Sequence, residues 1–229
     1  MKRGLLKNNL VIRVYTSSIL IPSFINIIIK HKTLFDLLLT FIFIISCYEI
    51  ISIINSSKKT TLKNKTIWIV VMVLYILLSL LCLKYTRSST RGYLKIIILF
   101  FCIWIFDSSG YLFGSWIKGP KMCTKISPQK TWSGFTSSII ITFFIPHLFF
   151  IFILNKITRY DFRFFTSFCF CLMGMIGQIG DLTESYFKRK FNAKDSGNIF
   201  PGHGGILDRF DSIYLSSIIF YVLSSFDQF

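Results

Sequence analysis

The sequence predicts an all-α fold, a polytopic integral membrane bundle of about seven transmembrane helices. Three observations predict it. Of 229 residues, 53% are hydrophobic and the mean hydropathy is +0.61, more apolar surface than a water-soluble domain can cover. The apolar residues gather into seven runs, at 14–29, 34–54, 67–83, 94–113, 135–154, 164–187 and 212–227, most of them near the ~20 residues that cross a bilayer. The basic residues gather in the connections between the runs, which is the membrane pattern.

The first run is interrupted by Pro22 and Asn26 and is followed by no small-residue cleavage site, so it reads as a retained helix rather than a signal peptide. The first three runs carry one Glu and one Asp, Glu49 and Asp36, and residues 1–92 read as scaffold helices. From Asp107 onward polar residues, Gly and Pro enter the apolar runs, and nine of the 13 glycines lie between Gly119 and Gly205. Chemistry is therefore expected in residues 93–229. No linker, repeat or second domain is visible, so 1–229 reads as one membrane domain. Cys47, Cys82, Cys102, Cys123, Cys169 and Cys171 show no C-x-x-C spacing and read as packing residues.

The chain has 26 Lys and Arg against 10 Asp and Glu, a net charge of +16. In a soluble protein that excess would point to nucleic acid; here no nucleic-acid partner is expected. Seventeen of the basic residues fall in the N-terminus and the second, fourth and sixth connections, against nine on the other side. The positive-inside rule puts the N-terminus and those connections in the cytoplasm, in the inner membrane of a cell.

The sixth run carries Gly174, Gly177 and Gly180, three apart, a smooth stripe for another helix. Asp181, Glu184, Ser185 and Lys188 follow on one helical face, next to Arg189. Acids inside a spanning helix are unfavourable and tend to be functional, although a packing ion pair would explain them as well. The connection Lys194-Asp195-Ser196-Gly197-Asn198, then Pro201-Gly202-His203-Gly204-Gly205, is too rich in Gly and Pro for a helix. Gly204 and Gly205 allow backbone N–H groups to approach an anion, and a helix is expected to start just after them. It would carry Asp208, Arg209 and Asp211, and carboxylates three apart suit Mg²⁺. The fourth connection offers Ser127, Lys130 and Thr131 as phosphate contacts; Lys118, Lys121 and Lys125 read as a solvated or lipid-facing basic loop. Acids for a metal, bases for phosphates and a glycine loop fit phosphoryl-type transfer to an amphipathic substrate, chemistry that depends on positioning and charge neutralisation.

The stretch Ser185 to Asp211, SYFKRKFNAKDSGNIFPGHGGILDRFD, resembles the signature of the phosphatidate cytidylyltransferases (CDP-diacylglycerol synthases). That signature has Ser, Lys-Arg, Lys-Asp-x-Gly, His-Gly-Gly and Asp-Arg-x-Asp at fixed spacings. Gly180-Asp181-Leu-Thr-Glu184-Ser185, Asp107-Ser-Ser-Gly110-Tyr111, Ser127-Pro128-x-Lys130-Thr131-Trp132 and Glu49 also look like the family. Two positions depart from it: Ser115 follows Gly114 where the family has Arg after Gly, and Ser133 stands where it has Glu.

The resemblance implies attack by the phosphate of phosphatidic acid on the α-phosphorus of CTP, with Mg²⁺ as cofactor, at the cytoplasmic face of the membrane. K⁺ is left open as a further ion and a homodimer as an assembly. It implies Asp181 and Asp208 as metal ligands, with Asp211 in the same shell. Lys130, Lys188, Arg189, Lys194 and Arg209 would meet phosphate charge, and Asp195 counts among the catalytic residues. Ser127, Thr131, Ser185, Gly197, His203, Gly204 and Gly205 would line the nucleotide site.

Three other classes fit the sequence less well. A transporter has intramembrane acids too, but its polar groups should lie near mid-membrane in related halves, and no repeat is visible. The CDP-alcohol phosphotransferases open their pattern Asp-Gly-x-x-Ala-Arg, a string absent here. A hydrolase would need a G-x-S-x-G elbow, also absent.

Overall fold

A computed structural model of the protein describes residue 18 and residues 21–57, 61–149, 164–197 and 204–225. Its helices are α1 (Ile21–Lys30), α2 (Lys32–Ser56), α3 (Leu62–Ser88), α4 (Gly92–Ile117), α5 (Trp132–Phe149), α6 (Phe164–Lys190) and α7 (Leu207–Ser224). The apolar runs expected at 34–54, 67–83, 94–113 and 164–187 each fall inside one helix. Helix α7 starts before the apolar run at 212–227, because its first turn is polar. Helices α2, α3 and α4 are long and apolar enough to cross a membrane.

One element departs from the all-α expectation. The connection after α4 holds a two-stranded antiparallel hairpin, β1 (Lys121–Cys123) and β2 (Ser127–Thr131), with Lys121 opposite Thr131 and Cys123 opposite Ser127. Both strands are edges, so Pro128, which has no N–H to give, is tolerated. The Trp132 N–H donates to Pro120 O at 3.0 Å and closes the open end of the hairpin.

The chain divides into two compact units, Met1–Ile97 with Phe187–Phe210, and Ile98–Tyr186 with Asp211–Phe229. In the first, α2 packs on α3. Helix α2 buries Phe35, Leu39, Ile42, Ser46, Glu49 and Ile53, a spacing of three and four that draws one stripe along the helix. The opposite stripe, Leu37, Phe41, Ile44, Tyr48 and Ile51, is exposed and just as apolar. A helix that is apolar all round, with one side uncovered, is built to face lipid. Helix α3 repeats the pattern, burying Met72, Ile76, Ser79, Leu83 and Thr86 while Val70, Leu74, Leu78 and Leu81 stay exposed.

The end of α6 is fixed to this unit by aromatic rings. Trp68 lies 6.1 Å from Phe187 and 6.2 Å from Phe191, and Lys190 Nζ sits 4.3 Å over the Trp68 ring. The helix then stops in a Schellman turn: Asn192 takes a positive φ of 59° and the Ala193 N–H donates to Lys188 O at 2.9 Å. This defined stop sets the direction of the loop that follows.

In the second unit small residues let helices approach. A Cβ on Gly174 would run into the Phe106 ring of α4, and one on Gly180 would come 2.8 Å from Asp211 O of α7. The glycine stripe expected on the sixth run is thus a packing surface. Further along α4, Gly110 and Gly114 meet α5 at Gly134 and Ser138, and Ser138 Oγ donates to Phe106 O at 2.8 Å.

Candidate active site

The first unit holds a network centred on Asp208 in the opening turn of α7. Its Oδ1 accepts from Lys188 Nζ at the end of α6. Its Oδ2 accepts from Ser196 N at 2.9 Å, Ser196 Oγ at 3.0 Å and Gly205 N at 3.2 Å. Asp208 lies ahead of the apolar run at 212–227. Burial pushes its carboxyl upward, but the hydrogen bonds from Lys188, Ser196 and Gly205 outweigh this and hold it below the usual carboxylate value.

Glu49 of α2 joins the same network. It is 1% exposed while its neighbour Tyr48 is 69% exposed, so the carboxylate lies on the covered face. Its Oε2 accepts from Ser196 Oγ at 2.8 Å and Leu207 N at 2.9 Å, and its Oε1 accepts from Ile206 N at 3.0 Å. The last two are orphan donors at the start of α7, so Glu49 caps that helix from a distant part of the chain and sits at the positive end of its dipole.

The glycines are needed for space. A Cβ on Gly197 would approach Glu49 Oε1 at 2.9 Å, and one on Gly205 would overlap Ser196 Oγ and the Glu49 carboxylate. Gly204 has a φ of 84°, a left-handed conformation that favours glycine. The loop does bring N–H groups to anions, as its composition predicts, but those anions are carboxylates of the chain itself.

The second unit holds a smaller cluster. Lys130 Nζ, on β2, lies 2.6 Å from Asp181 Oδ2 of α6, an ion pair made by proximity rather than by an aligned hydrogen bond. Ser185 Oγ donates to Asp181 Oδ1 at 3.2 Å, one turn on. Asp107 of α4 lies within electrostatic range of both Lys130 and Asp181, and Ser212 Oγ donates to its Oδ2 at 3.3 Å. Asp211 Oδ1 accepts from Ser212 N at 2.6 Å.

Among the described residues no three His, Cys, Asp or Glu side chains form a ready-made metal cage. A Mg²⁺ ion is commonly held by one or two carboxylates and completes its shell with phosphate oxygens and water. Asp181 fits that role: its side chain is 25% exposed and carries one cation and one hydroxyl. Asp208 fits less directly, since its two oxygens already accept four hydrogen bonds.

Of the other residues expected at the site, Arg189, Lys194, Asp195 and Arg209 are exposed, and Arg189 donates to Ala193 O at 3.2 Å. Ser127 is half-buried on β2. Thr131 is buried and caps α5: its Oγ1 accepts from Gly134 N at 3.1 Å and from Ser133 Oγ at 3.2 Å. His203 lies outside the described residues. Two residues gain a place that sequence reasoning did not give them. Glu49 stood only as part of the family pattern in a scaffold helix, and the sole signal was an acid in an apolar run. Ser196 is only the variable position of the Lys-Asp-x-Gly string.

The sequence model of the cytidylyltransferase family matches residues 57–226. A phosphatidate cytidylyltransferase of Rickettsia typhi is 37% identical over 218 residues, which cover 94% of this chain and 92% of that protein. One of Rickettsia bellii is 37% identical over 227 residues, covering 94% and 91%. One of Staphylococcus saprophyticus is 40% identical over 140 residues, covering 61% and 52%.

Proposed function

The chain belongs to the cytidylyltransferase family, and from that premise we propose that it joins CTP to phosphatidic acid, giving CDP-diacylglycerol and pyrophosphate. A phosphate oxygen of phosphatidic acid forms a bond to the α-phosphorus of CTP, and the bond from that phosphorus to the β-phosphate oxygen breaks. Pyrophosphate leaves with the electron pair. The nucleophile is a phosphate monoester already largely ionised near neutral pH, so no dedicated base is required. Positioning and neutralisation of phosphate charge carry the rate.

The observation that carries this reading is the Lys188–Asp208–Ser196 network. It is assembled from the same Lys-Arg, Lys-Asp-x-Gly and Asp-Arg-x-Asp strings that lie within the matched region. Lys130, Lys188, Arg189, Lys194 and Arg209 are proposed to neutralise the substrate phosphates. Asp181 is the proposed Mg²⁺ ligand whose surroundings suit it best, with Asp208 and Asp211 as further acids of the shell. Bound Mg²⁺ would offset the negative charge of the triphosphate. Seven spans, a cytoplasmic N-terminus and a site at the cytoplasmic face of the inner membrane complete the proposal, supported by the basic bias of the N-terminus and the even connections.

The test is purified protein in detergent or nanodiscs with CTP, phosphatidic acid and Mg²⁺, following pyrophosphate and CDP-lipid together. Both should appear in equal amounts, and chelation of Mg²⁺ should stop them. Asp181→Asn should lower the rate by about a hundredfold or more, the scale set by losing a charge that acts in the transition state. Absence of CDP-lipid from the wild-type protein would overturn the activity, and an undiminished Asp181→Asn rate would overturn the metal assignment.

A further inference from the structure

We propose that Glu49 is a positioning residue for the cytidylyl transfer: from α2 it holds the Ser196 loop and the first turn of α7 in the arrangement that presents Lys188 and Asp208. The role in transfer rests on the function proposed above; the holding itself does not.

Three observations converge on it. The first is satisfaction. A carboxylate in an apolar helix is unfavourable unless its lone pairs are filled. Glu49 fills them with Ser196 Oγ, Ile206 N and Leu207 N, 147 to 158 residues along the chain. Without the carboxylate, two orphan N–H groups at the start of α7 lose their acceptor.

The second is space. Gly197 and Gly205 both lack a Cβ where one would meet the Glu49 carboxylate. The loop is shaped around this side chain at two separate positions, so it is fitted to Glu49 and not merely tolerant of it.

The third is the sharing of one proton. Ser196 Oγ stands 2.8 Å from Glu49 Oε2 and 3.0 Å from Asp208 Oδ2. A hydroxyl has a single hydrogen to donate, so the two carboxylates compete for it. The one that takes it leaves the other dependent on its remaining donors. For Asp208 these are the Ser196 and Gly205 N–H groups and Lys188. A change at Glu49 therefore reaches Asp208 through Ser196, and reaches Lys188 through Asp208.

A carboxamide cannot do this work. Glu49→Gln keeps the volume but turns an NH₂ group toward a backbone N–H, which leaves a donor facing a donor. Glu49→Asp keeps the charge and draws it back by one methylene.

The experiment uses the full chain in nanodiscs, with two readouts: steady-state kinetics with CTP, phosphatidic acid and Mg²⁺, and hydrogen–deuterium exchange without substrate. Glu49→Gln is expected to lower kcat by about tenfold or more while both KM values move less than about threefold, the signature of a group that acts on the reacting arrangement. Exchange should quicken at 194–197 and 204–210 and stay unchanged in α5. Glu49→Asp should recover part of both effects. In a Ser196→Ala background Glu49→Gln should cause a smaller fall than it does alone, because one of the three contacts of Glu49 is already gone.

A wild-type kcat in Glu49→Gln would overturn the proposal. So would effects of Glu49→Gln and Ser196→Ala that simply multiply, or exchange that quickens in α5 as much as in the loop, which would mark general unfolding. Wild-type protein that makes no CDP-lipid would remove the role in transfer together with the proposed function. The exchange data would still decide whether Glu49 holds the loop.

Discussion

Lys188 and Asp208 show most plainly how single side chains set this site. Their side chains are 9% and 11% exposed, so each needs the other as a counter-charge. Lys188→Met leaves the Asp208 carboxylate without it, and breaking such a pair costs about 3 kcal/mol. The variant should melt earlier in detergent and lose CDP-lipid formation; unchanged melting would mean that Asp208 is neutralised by another group. The pH dependence has a definite sign. Because the Asp208 carboxyl is held below its ordinary 3.8, its stabilisation is full above that value and is lost as the pH falls through the lowered one. The melting temperatures of wild type and Asp208→Asn should therefore differ near neutrality and converge in acid. Gly205→Ala places a methyl group on Ser196 Oγ and the Glu49 carboxylate. It should destabilise by about 1–3 kcal/mol and disable the enzyme, whereas an exposed site would accept it.

At the scale of elements, α6 serves packing along one part and carries paired charges at its end. Gly174, Gly177 and Gly180 admit Phe106 and the backbone of α7, and the charged face begins at Asp181, directly after them. Gly174→Leu should force Phe106 aside and lower stability by about 1–3 kcal/mol, read as a lower melting temperature. An unchanged value would show that α4 can move away at little cost. The start of α5 is a separate case. Thr131 looked like a phosphate contact because Ser, Lys and Thr cluster in one connection, yet its Oγ1 is buried on the Gly134 N–H. Thr131→Ala should weaken the helix start by about 1 kcal/mol and leave the KM for CTP near wild type. A large rise in that KM would return Thr131 to the nucleotide.

For the whole molecule, the apolar outer stripes of α2 and α3 and the basic connections together fix a membrane protein and propose its orientation. In a chain stripped of its native cysteines, Lys125→Cys and Lys194→Cys should both react with a membrane-impermeant thiol reagent only from the cytoplasmic side. Labelling of either from the other side would reverse the proposed topology. The two compact units each own part of the predicted site: Glu49, Lys188, Ser196 and Asp208 in one, Lys130, Asp181 and Asp211 in the other. Sequence order hides this division, because the boundary cuts through both α6 and α7.

The sequence by itself determined where the long apolar helices run, where glycines smooth one helix for packing, and which family the chain belongs to. Hydropathy and glycine spacing are properties of consecutive residues, and they are written in the order in which they act. What only the tertiary structure decided is which donor meets which acceptor. Glu49 closes on Ser196, Ile206 and Leu207 across some 150 residues of chain, and the glycine loop encloses the protein's own carboxylates before any substrate. A hydrogen bond is set by a few ångströms of separation in space, and for groups so far apart along the chain only the packed helices supply that distance.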